Sequence, residues 1–136
     1  MYEIVLDTNV LVTALRSRRG ASFQLIRRID EGEFRVNVSV ALALEYEEVL
    51  KRADVLPGFS EADIDKFLDY LFQVSTLAPS VIPMRTNLRD PNDEFVLDLA
   101  AQRQAIIVTY NKKDFGEAER LDIRVLYPVE LLEVLR

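Results

Sequence analysis

Three acids and one acid-bearing loop are placed where they could share a single site. Asp7 ends the apolar run Tyr2 to Leu6, Glu45 borders an apolar helical stretch, Asp93 stands in the first turn of another, and Asn111 to Asp114 follow a further apolar run. Carboxylates gathered within a few ångströms repel one another and raise their own pKa values unless a cation neutralises them. The chain has no histidine and no cysteine, which removes imidazole bases, Ser-His-Asp arrangements, thiolate nucleophiles and cysteine-held zinc. Oxygen ligands alone point to Mg²⁺ or Mn²⁺. Such an ion lowers the pKa of bound water and stabilises charge on a phosphoryl oxygen, so hydrolysis would need no histidine. The formal net charge of −6 speaks against wide, unaided binding to nucleic acid, because phosphates are held mainly by lysine and arginine.

Each acid also has a plainer explanation. Asp7 could serve only as a turn or helix-cap residue. Glu45 flanks a stripe of Leu42, Tyr46, Val49 and Ala53 and could pack its stem while its carboxylate reaches water; Glu47 and Glu48 fall on the solvent side. Asp93 shares a face with Val96, Leu97 and Ala100, and its bland role is charge placement in a first turn that Asp90 would cap. Lys112 and Lys113 could balance the acids as a salt-bridge network without catalysis. Arg16, Arg18 and Arg19 form a candidate phosphate contact near Asp7 that an ordinary solvated basic loop would equally explain.

The elements that must position these residues follow from periodicity and punctuation. Tyr2 to Leu6 reads as a strand, Val10 to Leu15 as a short helix, and Ser22 as the N-cap of a helix reaching Ile29 and stopping near Gly32. Phe34, Val36 and Val38 alternate as a second strand would. Ser39 caps a helix through Leu50, Ser60 begins another, and an irregular stretch holding Pro79 and Pro83 leads to a helix with Pro91 at its first position. Ala105 to Thr109 and Ile123 to Leu126 supply two more strands, Asn111 to Phe115 and Arg120 to Asp122 polar loops, and Pro128 to Leu135 a terminal helix. Strands alternating with helices imply an α/β domain with a mostly parallel sheet covered on both faces and a site at the carboxyl ends of its strands. Residues 1–136 are expected to form one domain. No run is long enough for a membrane helix, and the first residues lack the features of a signal peptide, so the cytoplasm is the expected address.

Val5-Leu6-Asp7-Thr8-Asn9-Val10-Leu11, Ser39 through Glu45-Tyr46, Asp90-Pro91-Asn92-Asp93-Glu94-Phe95 and Val108-Thr109-Tyr110-Asn111-Lys112-Lys113-Asp114-Phe115 together resemble the PIN domain, and within it the toxin-like proteins of VapC type. The resemblance implies a three-layer α/β/α fold with a central sheet of four or five strands. It makes Asp7, Glu45 and Asp93 metal ligands and Asp114 the fourth acid, with Thr8, Asn9, Thr109 and Asn111 in hydrogen-bonding support. It further implies a Mg²⁺- or Mn²⁺-dependent endoribonuclease, a homodimer, and a small antitoxin that silences it. Many relatives carry an acid two residues after the threonine, where this chain has Asn111. That departure sustains an alternative, a non-catalytic PIN-like module binding protein or RNA. A haloacid-dehalogenase-like phosphatase would need a second aspartate at Asn9, and a phospho-receiver an acidic pair before the first strand, where Glu3 stands alone.

Overall fold

The computed structural model describes residues 1–79, 81 and 91–135, with the backbone alone at 91 and 92. Five strands, β1 (Tyr2–Leu6), β2 (Phe34–Ser39), β3 (Thr76–Ala78), β4 (Ile106–Val108) and β5 (Val125–Leu126), form one sheet in the order β3-β2-β1-β4-β5. Every pairing is parallel. The expected sheet is therefore present, and it is parallel throughout. Its order reverses at β1, which lies between β2 and β4, and the crevice beyond the carboxyl ends at such a reversal is where open α/β sheets bind ligands.

Seven helices accompany the sheet among the described residues: α1 (Thr8–Arg16), α2 (Ala21–Arg27), α3 (Val40–Leu50), α4 (Glu61–Val74), α5 (Pro91–Arg103), α6 (Gly116–Arg120) and α7 (Pro128–Val134). Helix α5 packs on β1, β2 and β4, while α2 packs on α1 and α7. Strands covered on both faces need continuous apolar runs, and Ile4, Val5, Leu6, Ile107 and Val108 are all buried. Local chemistry sets the starts of the helices. The Ser39 hydroxyl accepts from Leu42 N at 3.1 Å, and Ser60 and Asp63 exchange side-chain and backbone bonds as a capping box. Pro128 occupies the first turn of α7. Gly32, at φ 81°, supplies the left-handed turn into β2.

Asn37 in β2 is fully buried, against the simple alternation expected of that strand. Its Nδ2 donates to Glu3 Oε1 at 2.9 Å and to the Ile4 carbonyl at 3.2 Å, and its Oδ1 accepts from Arg103 Nε at 3.0 Å. Four further expectations are corrected. Strand β3 lies in what the sequence suggests is irregular chain. The stretch after Asn111 is a 3₁₀ turn, Lys112–Phe115, running into α6. Ser22 caps nothing, because Gly20 holds the N-cap of α2 and the buried Ser22 hydroxyl pairs with Tyr110 Oη at 2.5 Å. Ala53 lies beyond the end of α3 and is exposed, so it does not extend the buried stripe. The expected cap Asp90 and the stretch with Pro83 lie outside the described residues.

Candidate functional site

Asp7 occupies the first position after β1, and its backbone N–H donates to the Val108 carbonyl of β4 at 2.9 Å. The residue therefore stands at the reversal of the sheet. The residue is 8% exposed and its side chain is firmly held. Oδ1 accepts from Thr8 N at 2.8 Å, which caps α1, while Oδ2 accepts from the Thr109 hydroxyl at 2.7 Å and from Asn9 Nδ2 at 3.2 Å. Asn9 is oriented in turn, since its Oδ1 accepts from Tyr110 N at 3.3 Å. Asn111 N donates to Thr109 Oγ1 at 3.0 Å. Thr8, Asn9 and Thr109 thus bond Asp7 directly, and Asn111 acts through Thr109. These bonds fix the direction of one carboxylate at the mouth of the crevice.

Glu45 enters from α3 and is 6% exposed. The helix phase read from the sequence places it correctly: Leu42, Glu45, Tyr46 and Leu50 are buried, and Glu47 and Glu48 are exposed. Asp93 enters from the first turn of α5 and Asp114 from the 3₁₀ turn after β4, both half-buried. One open cleft of about 210 Å³ is lined by Asp7, Thr8, Asn9, Glu45, Val49, Arg52, Asp93, Asn111 and Asp114. Four segments distant in sequence thus bring all four acids to a common wall.

The donor set suits a hard cation, because every acidic oxygen comes from a carboxylate and no nitrogen or sulfur ligand competes. Among the described residues the acids do not stand as a closed cage of three or more. They share the walls of one cleft. Arg52 is the lining residue that the sequence reading overlooked. It pairs with Glu48, four residues back and 2.8 Å away, and that spacing is ordinary for a surface ion pair.

The other candidates are placed differently. Lys112 does not balance the acids, since its Nζ meets Glu130 Oε1 at 2.5 Å and lies 4.3 Å from the centre of the Tyr127 ring. That hydrogen bond, with another from Tyr127 N, holds the Glu130 carboxyl below its usual range. Arg16 donates through Nε and Nη2 to the Val55 carbonyl at 3.1 and 2.9 Å, tying the end of α1 to the loop after α3. Arg18 and Arg19 are exposed, and among the described residues neither lines the acidic cleft.

Tyr46 supports the site from beneath. It is fully buried and donates its hydroxyl to the Leu6 carbonyl at 2.5 Å, one residue before Asp7. Burial pushes the Tyr46 hydroxyl well up, and the charge of Asp7 pushes it further. Because the folded state resists ionisation, its stability is complete below the unfolded tyrosine value of about 10 and falls as pH rises beyond it. Tyr46→Phe is expected to cost about 1–2 kcal/mol at neutral pH, through the lost bond to Leu6, and to flatten this alkaline loss. Urea melts at neutral pH and above pH ~10 check both parts; an equally steep alkaline loss in the variant would place the sensitivity elsewhere.

Solved structures share this fold at low sequence identity. VapBC2 from Rickettsia felis, solved bound to a DNA fragment from its promoter, matches with a TM-score of 0.62 and 15% identity over 91% of this chain and 96% of that one. VapBC-1 from nontypeable Haemophilus influenzae matches at 0.65 and 13% over 93% and 98%. FitAB, solved bound to an IR36 DNA fragment, matches at 0.62 and 17% over 92% and 94%. Compared by sequence with curated proteins, the chain matches none at a significant level. A family model described as the PIN domain does match, over residues 3–113, and the chain belongs to that family.

Proposed function

We propose that this chain is a Mg²⁺- or Mn²⁺-dependent endoribonuclease, the toxin of a toxin–antitoxin pair, acting as a cytoplasmic homodimer restrained by a small antitoxin. The observation that carries the nuclease reading is the cleft at the reversal of the sheet, walled by Asp7, Glu45, Asp93 and Asp114. Membership of the PIN family supports the same chemistry. The two-component VapBC and FitAB assemblies among the structures of like fold support a protein partner. No described helix is long and apolar enough to cross a membrane.

Asp7, Glu45 and Asp93 would hold the cation, and Asp114 would complete the set, with Asn111 beside it on the same wall. The bound ion supplies an activated water and offsets charge on the phosphoryl oxygens. The chain's own part is orientation. Thr109, Asn9 and the Thr8 amide keep both Asp7 oxygens fixed, so little rearrangement is left for the moment of binding. Burial of Glu45 limits competing water on that side.

The second reading, a non-catalytic module that binds protein or RNA, is favoured by Asn111, which replaces an acid on the wall. Incubating a mixed pool of structured RNAs with the purified chain separates the two. Cutting with Mg²⁺ or Mn²⁺ that stops with chelator is expected. If the chain neither cuts RNA nor binds Mn²⁺, the non-catalytic reading takes its place.

A further inference from the structure

Arg52 is the one basic side chain among the described residues lining the acidic cleft. It lies in the turn that ends α3, seven residues beyond Glu45. With Glu45 and Val49 of α3 it lines the cleft. The guanidinium bonds Glu48 on the solvent side at 2.8 Å. Both members of that pair are largely exposed, at 54% and 69%, and exposed pairs of this kind hold weakly against a competing partner.

Phosphates are held mainly by lysine and arginine, and among the described residues lining this cleft Arg52 is the one that can do so. Guanidinium matches phosphate in a bidentate fork better than it matches a single carboxylate oxygen. We propose that Arg52 is the phosphate-anchoring residue of the cleft: it leaves Glu48 and grips a phosphate next to the one being cut in a single-stranded RNA. Glu48 then acts as a stand-in for that phosphate in the free protein. This assignment rests on the nuclease reading and names how the same site positions its substrate.

The test uses the full chain and a short labelled single-stranded RNA of mixed sequence. Binding is followed by fluorescence anisotropy with chelator present, and steady-state cleavage is followed with Mn²⁺, both at several salt concentrations. Arg52→Ala is expected to weaken binding about tenfold and to reduce the slope of log affinity against log salt by about 0.7, the value for one contact on a single strand. In cleavage, KM should rise by a similar factor of about ten while kcat stays near that of the parent. Arg52→Lys should recover part of the loss, and Glu48→Gln should tighten binding by freeing the guanidinium. If Arg52→Ala leaves KM and both salt slopes unchanged while the parent cuts RNA, the assignment is overturned and the nuclease stands. A parent that neither binds nor cuts RNA overturns both.

Discussion

Asp7→Asn is expected to lower RNA cleavage by roughly two to three orders of magnitude while leaving the fold intact. Asparagine keeps the size of the side chain and an acceptor for the Thr8 amide, so the cap on α1 survives. What disappears is the negative charge that the sheet reversal places at the mouth of the cleft, together with the Oδ2 acceptor used by Thr109 and Asn9. Asp7→Ala removes that charge and the cap together, and should cost about 1 kcal/mol of stability besides the activity. The two variants therefore separate electrostatics from architecture when cleavage and thermal melting are measured side by side. Glu47→Gln, exposed on the far side of α3, serves as the control and should cut at the parental rate. Parental cleavage by Asp7→Asn would remove Asp7 from the site.

The second large effect concerns stability. A cation that binds the folded chain alone at a hundred times its dissociation constant adds about 2.7 kcal/mol. For a chain of this size that corresponds to a rise in melting temperature of about 10 °C. Mn²⁺ should produce such a rise in the parent, and chelator should reverse it. Asp93→Asn, which lacks one of the charges that would hold the ion, should gain little from Mn²⁺. A scanning fluorimetry titration reads both outcomes, and an equal Mn²⁺ shift in parent and variant would exclude Asp93 from the ligand set.

The sheet and the placing of the acids were legible for identifiable reasons. Asp7 follows an uninterrupted apolar run, so its position at a strand's end needed only that run and the polar turn after it. Glu45 was separable from Glu47 and Glu48 by helical phase, because α3 keeps its period from Val40 to Leu50. Strand β3 was not legible: with three residues, Thr76–Ala78, it shows no alternation of its own and forms only because β2 offers an edge. Ser22 was misread because a hydroxyl before a helix resembles a cap, whereas its partner is Tyr110, 88 residues away in sequence. Lys112 and Arg16 were ambiguous for a related reason, since the Glu130 carboxylate and the Val55 carbonyl that hold them reach their places only through tertiary packing. Nothing in the sequence marks Arg52, because its place in the cleft depends on how α3 packs beside β1 and α5.

The buried amide of Asn37 bears on how the chain avoids its near-misses. Parallel strands covered on both faces are apolar on both faces, so sliding one against its neighbour by a residue exchanges one hydrophobic side chain for another and meets little resistance from burial alone. Asn37 removes that indifference. Its amide finds Glu3, the Ile4 carbonyl and Arg103 together in a single alignment of β1, β2 and α5. In a shifted alignment the same amide would lie in the core with its partners out of reach, at a cost of about 1–3 kcal/mol for each group left unpaired. A buried polar residue in the neighbouring strand thus helps decide that β1 ends where Asp7 begins.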